Sequence, residues 1–567
     1  MSVDNSKVLQ NNENSALPTE DEIEYEASNG SGIYSLIRVA KVERKMFWIM
    51  AAMFFIISFI YSVARVLKDA AVIGKQLPAS IFFLKFVIIL PFSFISVGII
   101  QKALDKYPFT KIFDVTLIVF AVAFTILGSL LLPFSDYIQI QPFWAKDIFA
   151  DGKAVARSTD FLFSIALVFN EWTSSAIYVL SEMFGSLILS YLFMTFANGL
   201  STPGQSARFV PLFYVGSNLA LLLSGMINYF YSVSKSKMSY VAAERFFNGF
   251  FCLSGILCAV IYLLKKYLEN NVTSKPMFVR KTFTKKKSKV KVGFVDGLIE
   301  MSKSKLLLNM SLVVLFYAVS TNIIESAYKS ALAVGANETG EAKSTYASIY
   351  TSIEQSGVAV IVMILLLTPF PRLIKTKGWI TIAILCPIIT FFSAFGTFVL
   401  AYLNFPITNK EDNIFDIYRL PSTDSIIKLE NIVGVICVSL MKISKYAAFD
   451  ITKEALSMQI DGSIRAKYKG IFDGVFGKLG KSFGSVYGFT ITTLLGTRDV
   501  RRGAPISLCV LILFCLIWFY SVFYLNRKYK ESVENNAPID IDLFTSSKVK
   551  APSSEPTVAT KSVTTEE

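Results

Sequence analysis

The chain has 567 residues, of which 53% are apolar and only 17% are charged, and its mean hydropathy is +0.52. A soluble protein of this composition would expose far more apolar surface than one core can hide. Histidine is absent, which excludes imidazole metal ligands, Ser-His and Cys-His nucleophile pairs and histidine proton relays. These features exclude disordered, collagen-like and disulfide-rich secreted chains, and they leave a polytopic membrane protein.

The predicted elements in chain order are a polar tail, a series of apolar segments and a second polar tail. Residues 1–45 predict a disordered acidic tail that ends in a basic stretch beside the membrane. About twelve apolar segments follow, most of them long enough for a helix that crosses a bilayer of about 30 Å. They run roughly over 46–64, 78–100, 112–132, 161–198, 209–232, 246–264, 306–326, 346–369, 378–402, 430–447, 470–495 and 503–525.

Two of these segments differ from a plain apolar span. The fourth is too long for one crossing and carries Asn170 and Glu171, so its first part is expected to be interfacial or re-entrant. The eleventh is rich in glycine and lysine and scores poorly on hydropathy alone. The predicted fold is an all-α polytopic membrane protein with about twelve transmembrane helices.

A basic stretch at 265–305 divides the chain into two groups of six segments. It contains twelve Lys or Arg and three acidic residues, as a cytoplasmic membrane loop does. We therefore expect an N-terminal half at 46–264, a basic cytoplasmic central loop at 265–305, a C-terminal half at 306–525 and a disordered tail at 526–567. Both termini are then cytoplasmic, and much of the net charge of +14 lies in the loop rather than in a nucleic-acid site.

Ionisable residues within apolar segments are the candidates for function, because a charge at the bilayer centre costs about 2.5–3.5 kcal/mol. Lys85 and Glu182 lie deepest, and for them the structural alternative is an interhelical ion pair. Lys68 and Lys329 lie near segment ends, where snorkelling to the interface is the alternative. The predicted substrate-binding residues are Lys68, Lys85, Glu182, Glu325, Lys478 and Lys481.

Several lysines around one cavity indicate a polyanionic substrate, and phosphate is the obvious group. Lys478 and Lys481 share one helix face and need an anion beside them. The string GKLGKS resembles the end of a P-loop, but Val475 stands where that motif needs glycine. The sequence predicts a secondary transporter and no enzyme, metal or cofactor.

Six strings together resemble the ATP/ADP translocases of plastids and intracellular parasites, in particular microsporidian-like members. They are RVLKDAAVIGKQLPASIFFLKFVIILP (65–91), YVLSEMFGSLILSYLFMTFAN (178–198), TPGQSARFVPLFYVGSNLALLLSG (202–225), NIIESAYKS (322–330), SKYAAFDITKEALS (444–457) and FGKLGKSFG (476–484). The strings follow the order of that family and cover nearly the whole membrane domain. Gly477 and Lys478 depart from it, since the family pattern has asparagine and proline before L-G-K-S.

The resemblance implies a major-facilitator-like arrangement of six plus six helices and exchange of adenine nucleotides. The four charged positions that the family associates with transport fall on Lys68, Glu182, Glu325 and Lys481. ATP and ADP are the expected substrates, with GTP left open, and a proton-coupled net importer of nucleotides or of another phosphorylated metabolite is the alternative. The lipid bilayer is the other partner, the cell membrane is the expected location, and the oligomeric state stays open, with a monomer compatible.

Overall fold

The computed structural model describes residues 17–29, 37–140, 161–274, 303–404, 426–460, 476–535 and 539, apart from residues 105, 236, 369, 371 and 372. The regular secondary structure of these residues is helical. Twelve helices of membrane-crossing length, α1 to α12, run over Lys41–Lys75, Ser80–Leu104, Phe109–Leu131, Trp172–Leu200, Arg208–Lys235, Tyr240–Asn271, Lys305–Thr339, Lys343–Leu367, Trp379–Leu403, Ile427–Met458, Phe476–Leu494 and Val500–Asn535.

Eleven of the twelve are both long and apolar enough to cross a membrane. The remaining helix, α11, has 19 residues and is therefore about 28 Å long at 1.5 Å per residue. Its glycines and lysines lower its hydropathy, as the sequence predicts. We call the side where α1 begins and α12 ends the terminal face, and the opposite side the distal face.

Each half of the chain has a hydrophobic core of its own. Residues between Val39 and Val272 form one cluster, and residues between Leu306 and Ile539 form another. A third cluster joins the halves, because Ile73 of α1 and Phe82 of α2 pack among residues of α7, α9 and α10. The described residues thus form a core in each half and a third core where the halves meet.

The outward faces of several helices are apolar and uncovered. Ile99 of α2 is 64% exposed, Leu263 of α6 is 63% exposed and Phe392 of α9 is 67% exposed. Such a belt of large apolar side chains would be unfavourable in water, whereas lipid tails cover it at no cost. The exposed belt supports the membrane location that helix length alone indicates.

Four helices contain a π-helical stretch, in which each turn holds an extra residue. The stretches are Leu84–Ile89 in α2, Leu127–Leu131 in α3, Gly185–Phe193 in α4 and Lys445–Phe449 in α10. Short π-helical insertions are frequent at functional sites because they redirect the side chains that follow. Two of them begin at or beside a lysine within the membrane.

The tails extend the ordered structure beyond the predicted limits. Residues 1–45 were expected to be disordered, but Glu20–Ser28 form a helix that begins with a capping box between Thr19 and Glu22. The apolar side of this helix buries Ile23 against Ala40. At the other end, α12 continues to Asn535, past the expected end of the membrane domain at residue 525.

The predicted start of the central loop is also too early. The sixth helix continues to Asn271, and Lys265 is fully buried, with its Nζ 2.7 Å from a carboxylate oxygen of Asp114. Pairing with that acid lets the helix continue through residues that a hydropathy pattern assigns to a loop. Residues 275–302 of the predicted loop, and most of both tails, lie outside the described residues.

The long fourth segment, which was expected to begin with an interfacial or re-entrant part, consists of two helices. The first spans Phe161–Asn170, and α4 begins at Trp172 after a break at Glu171. The side-chain amide of Gln76 donates to the backbone carbonyl of Glu171 at 3.1 Å and to the hydroxyl of Ser175 at 2.9 Å. These bonds tie the break to the distal end of α1.

Polar contacts join the halves on the distal side of the mid-membrane level. The hydroxyl of Ser232 on α5 donates to the hydroxyl of Ser348 on α8 at 2.7 Å. Near them, Gly74 of α1 lies so close to Ser344 of α8 that a Cβ at Gly74 would be 2.8 Å from the Ser344 Cβ. The structure therefore represents a state in which the halves are joined at the distal face.

Glycines of α11 allow its backbone to lie against α7. A Cβ at Gly480 would be 2.6 Å from the Ala318 Cβ and 2.8 Å from the Leu315 carbonyl oxygen, and Gly484 lies similarly close to Asn322. A Cβ at Gly477, by contrast, would meet its nearest neighbour at an ordinary 3.8 Å. Small residues permit close approach of this kind between membrane helices.

We expect Gly480→Ala to lower the unfolding temperature of the purified protein in detergent, because the new methyl group meets backbone atoms of α7 that cannot move independently. Gly477→Ala is the matched control, since its methyl group has room and alanine favours a helix more than glycine does. Fluorescence-detected thermal unfolding measures both variants. Equal unfolding temperatures for the two variants would contradict the packing described.

Candidate functional site

A continuous ladder of alternating charges crosses the contact between the halves. Each neighbour along it is an ion pair with a nitrogen–oxygen distance of 3.8 Å or less. We call these eight residues the charge ladder, and in spatial order they are Glu182, Lys68, Asp69, Lys329, Glu325, Lys442, Glu354 and Arg65. Each side chain belongs to α1, α4, α7, α8 or α10.

The first part of the ladder lies within the N-terminal half. The Lys68 ammonium on α1 is 2.8 Å from a carboxylate oxygen of Glu182 on α4 and 3.1 Å from one of Asp69. It also lies 3.8 Å from the ring centroid of Tyr178. Tyr178 and Glu182 are four residues apart on α4, so both reach the same cation from one helix face.

The matching part in the C-terminal half has the opposite polarity. Here the carboxylate belongs to Glu325 on α7, and the cation, Lys442, comes from α10 at 3.5 Å. Lys442 is also 2.6 Å from Glu354 on α8, and Glu325 is 3.4 Å from Lys329 one turn along α7. The first and fourth helices of each half are thus joined by a pair, with the charges exchanged.

Two ion pairs of the ladder connect the halves. Asp69 of α1 is 2.9 Å from Lys329 of α7, and Arg65 of α1 is 3.8 Å from Glu354 of α8. Arg65 and Asp69 are four residues apart and therefore lie on one face of α1, which is directed at the C-terminal half. One helix turn holds both connections.

The ion pairs of the ladder are buried, so removing one partner is costly. Lys68 is 2% exposed, Lys329 and Glu354 are each 3% exposed, and Asp69 is 4% exposed. Breaking a buried pair by removing one partner leaves an uncompensated charge and typically costs about 3–5 kcal/mol. The ladder can therefore be opened at low cost only by a group that replaces the lost partner.

Lys85 and the α11 segment extend the site beyond the ladder. The Lys85 ammonium donates to the side-chain carbonyl of Asn322 at 2.6 Å. The Asn322 amide in turn donates to the Lys481 backbone carbonyl at 2.8 Å and to the Ser485 hydroxyl at 2.9 Å. Asn322 thus links α2 of one half to α7 and α11 of the other.

The predicted residues converge on one region. Glu182 lies within electrostatic range of Lys68, Lys85 and Lys481. Lys85 also contributes, together with Glu325 and other residues, to the lining of a pocket between the halves: Pro78, Ile81, Phe82, Lys85, Glu325, Ser326 and Lys329. Five of the six predicted residues are therefore near one another, while the side chain of Lys478 lies outside the described residues.

The snorkelling alternative for Lys68 and Lys329 is wrong. The first span was expected to end at residue 64, but α1 continues to Lys75, so Lys68 lies inside a helix and is buried by its partners. Lys329 likewise lies within α7, which continues to Thr339. The interhelical ion pair that was the alternative for Glu182 is present, and it belongs to the ladder.

The predicted site contains three of the eight ladder residues and lacks the other five, which are Arg65, Asp69, Lys329, Glu354 and Lys442. Arg65 follows the predicted first span, and Lys442 lies near the predicted end of the tenth, where a basic residue suggests a loop. The usable signal was spacing, since Arg65, Lys68 and Asp69 fall on neighbouring positions of one helix face.

The string GKLGKS lies inside the helix Phe476–Leu494. It occupies the first two turns of that helix, and it lacks the glycine that a phosphate-binding loop needs at position 475, where this chain has Val475. Among the described residues, no group of three or more Cys, Asp or Glu could hold a metal ion. The chemistry that the site offers is the binding of anions by lysine and arginine side chains.

Removing one partner of the connecting pair should destabilise the closed halves. We expect Asp69→Asn and Lys329→Gln each to lower the unfolding temperature, because each leaves a buried charge with fewer partners. The double variant removes both charges and should lose less than the sum of the two single losses. Thermal unfolding of the four proteins in detergent measures this coupling, and strictly additive losses would contradict a direct pair.

Comparison with known proteins places this chain in a family. Residues 28–529 match the profile of a family described as TLC ATP/ADP transporter. ADP,ATP carrier protein 1 of Encephalitozoon cuniculi is 37% identical over 93% of this chain and 94% of the relative. The protein of the same name from Paranosema grylli is 37% identical over 94% of this chain and 96% of its own length. ADP,ATP carrier protein 1 of Rickettsia prowazekii is 26% identical over 88% of this chain and 96% of the relative.

A solved structure supports the fold independently of these sequences. The crystal structure of a bacterial homologue of the iron transporter ferroportin, in an inward-facing state, matches with a TM-score of 0.50 at 12% identity. The match covers 85% of this chain and 98% of that chain, and at this identity it shows the fold alone, which is major-facilitator-like. The resemblance found in the sequence is confirmed: the chain belongs to the TLC ATP/ADP transporter family.

Proposed function

We propose that this protein exchanges ATP for ADP across a cell membrane by alternating access. Membership of the family and the names of the relatives support adenine nucleotides as substrates. The observation that carries the mechanism is the charge ladder, which connects the halves through buried ion pairs. In that position it controls whether the two halves can separate at the distal face.

The charges of the site favour a polyanion. The ladder itself is balanced, with four carboxylates and four cations, and Lys85 and Lys481 add two further cations at its edge. An excess of positive charge in a low-dielectric site attracts phosphate groups strongly. Lys85 and Lys481 come from opposite halves, so a phosphate chain held by both would bridge the halves.

Binding of a phosphate chain supplies what opening of the ladder requires. Phosphate oxygens can take the place of Glu182 at Lys68, and of Glu325 at Lys329, so that neither lysine is left unpaired. The empty carrier has no such replacement, so separation of the halves leaves buried charges without a partner and is energetically unfavourable. This difference favours exchange over net transport, because reorientation is slow unless a nucleotide is bound.

The remaining assignments belong to the same proposal. Lys478, one helix turn from Lys481, is a further cation of this proposed site, and it is one of the two positions that depart from the family pattern. Both termini and the central loop lie in the cytoplasm, by the basic character of that loop, and the membrane is the cell membrane. The distal face is then the outside, and the structure represents a carrier closed to the outside. GTP, which differs from ATP only in its base, is a candidate third substrate.

The first test measures uptake of labelled ATP into proteoliposomes that contain either ADP or no nucleotide. We expect uptake only with internal ADP, and inhibition by external ATP and ADP. Lys68→Gln, Glu182→Gln, Glu325→Gln and Lys481→Gln should each slow exchange by about tenfold or more, because each removes a charge-assisted contact.

Lys266→Gln is the matched control, since Lys266 pairs with Asp114 at the end of α6, away from the ladder, and it should leave the exchange rate unchanged. Uptake that needs a pH gradient and no internal nucleotide would favour proton-coupled import instead. Absence of uptake of any nucleotide by correctly inserted protein would contradict the proposal.

The second test locks the distal face. A Cβ built at Gly74 would be 2.8 Å from the Ser344 Cβ, about 1 Å closer than the mean separation in a disulfide. A shift of about that size would allow the bond, so Gly74→Cys combined with Ser344→Cys should cross-link under oxidation. In a background without the native cysteines, we expect cross-linking to stop exchange and a reductant to restore it. Either single cysteine is the control. Full exchange by the cross-linked protein would show that the distal face does not open during transport.

A further inference from the structure

A second group of charged side chains lies on α10 between the ladder and the terminal face. Lys445 and Asp450 approach to 3.8 Å, and Lys453 and Asp450 to 3.5 Å. These side chains are 33%, 37% and 21% exposed for Lys445, Asp450 and Lys453 respectively, whereas most of the ladder is nearly inaccessible. Partly exposed charged side chains on a membrane helix contact water, in a cavity or at the membrane surface, rather than lipid.

The other half of the chain shows which way these side chains face. Tyr214 of α5 lies within electrostatic range of Lys445, Asp450 and Lys453, although α5 belongs to the N-terminal half. Tyr214 itself is 45% exposed and packs edge-on against Phe54 of α1, with ring centroids 6.0 Å apart. The charged group on α10 and the partly exposed tyrosine on α5 are therefore neighbours that belong to different halves of the chain.

The backbone of α10 brings Lys445 and Asp450 together. Lys445 and Asp450 are five residues apart, a spacing that a regular α-helix does not bring together. The π-helical stretch Lys445–Phe449 adds an extra residue to the turn between them. With that extra residue, side chains five positions apart lie on the same side of the helix. Tyr446, within the same stretch, packs against a cluster that contains Val358 of α8, as does Leu221 of α5. The Lys445 ammonium lies 4.6 Å from the centre of the Tyr446 ring.

The group is continuous with the transport site. Lys445 comes one turn after Lys442, which is a member of the ladder, and Tyr446 lies within electrostatic range of both Lys442 and Arg65. An anion at Lys445 would therefore be next to the ladder on its terminal side. In the closed state described, this side of the ladder is the one that the distal contacts do not obstruct.

We propose that Lys445 and Lys453 form a second anion-binding subsite, which holds the phosphate chain of a nucleoside di- or triphosphate on the terminal side of the charge ladder. This inference rests on the proposed function, since the nucleotide is the substrate proposed above. Asp450 holds the two lysines in place and repels phosphate, so the subsite binds weakly enough to pass the nucleotide onward. The subsite is separate from Lys68 and Lys481, which act at the ladder.

The experiment measures binding of ATP to the full chain, locked at the distal face by the disulfide between residues 74 and 344. The disulfide holds the distal face closed, so a nucleotide is expected to reach the locked protein from the terminal side. We expect Lys445→Gln to weaken binding by about tenfold, and Lys445→Arg, which keeps the charge, to stay within about threefold of the locked parent. Asp450→Asn should strengthen binding, a change of opposite sign that simple loss of structure would not produce. Inorganic triphosphate should compete and adenosine should not.

Two comparisons keep the inference separable from the proposed function. Transport by the unlocked parent tests the function, and its absence would overturn that proposal whatever the locked protein binds. Lys68→Gln in the locked protein should keep most of the binding, because the ladder is not the subsite. Binding that is lost in Lys68→Gln and unchanged in Lys445→Gln would overturn the subsite, as would equal losses in Lys445→Gln and Lys445→Arg at an unchanged unfolding temperature.

Discussion

The structure depends on the rule that an ionised group in a membrane domain needs a compensating partner, which is an opposite charge or, for Lys85, the side-chain carbonyl of Asn322. Eight such groups occur together between the halves, and each satisfies the rule through its neighbours on the ladder. Because the pairs share members, none can be removed without affecting the next. Helix placement, contact between the halves and anion affinity all follow from this one requirement.

The two halves meet that requirement as complements rather than as copies. In the N-terminal half, the first helix supplies the cation and the fourth supplies the carboxylate, as Lys68 and Glu182. In the C-terminal half, Glu325 and Lys442 occupy these positions with the charges exchanged. Two identical halves would place like charges face to face where α1 meets α7. The exchange of polarity instead gives Asp69 and Lys329 an attractive contact.

Much of the architecture could be predicted from the sequence, because the length of an apolar run measures a membrane crossing directly. Lys85 and Glu182 could be found for the same reason, since a single charge within such a run is conspicuous. Arg65 and Lys442 could not, because each lies close to the predicted edge of its run and looks like part of a loop. Their helices continue because partners on other helices neutralise these two charges. The residue pattern within one segment does not show which residues of other segments will be its partners. The same limit applies to Lys265 and the sixth helix.

The close contact between α11 and α7 has a consequence for biosynthesis. Glycine and lysine, which allow α11 to approach α7 and to present Lys481, also make it the one described helix of crossing length that is not apolar enough to qualify as a span alone. Insertion of a nascent segment into the bilayer depends on that apolar character. The α11 segment therefore needs help from helices already made or from the strongly apolar α12 that follows it. Where α12 supplies that help, insertion of α11 is complete only after α12 has left the ribosome, and the last two helices enter as a pair.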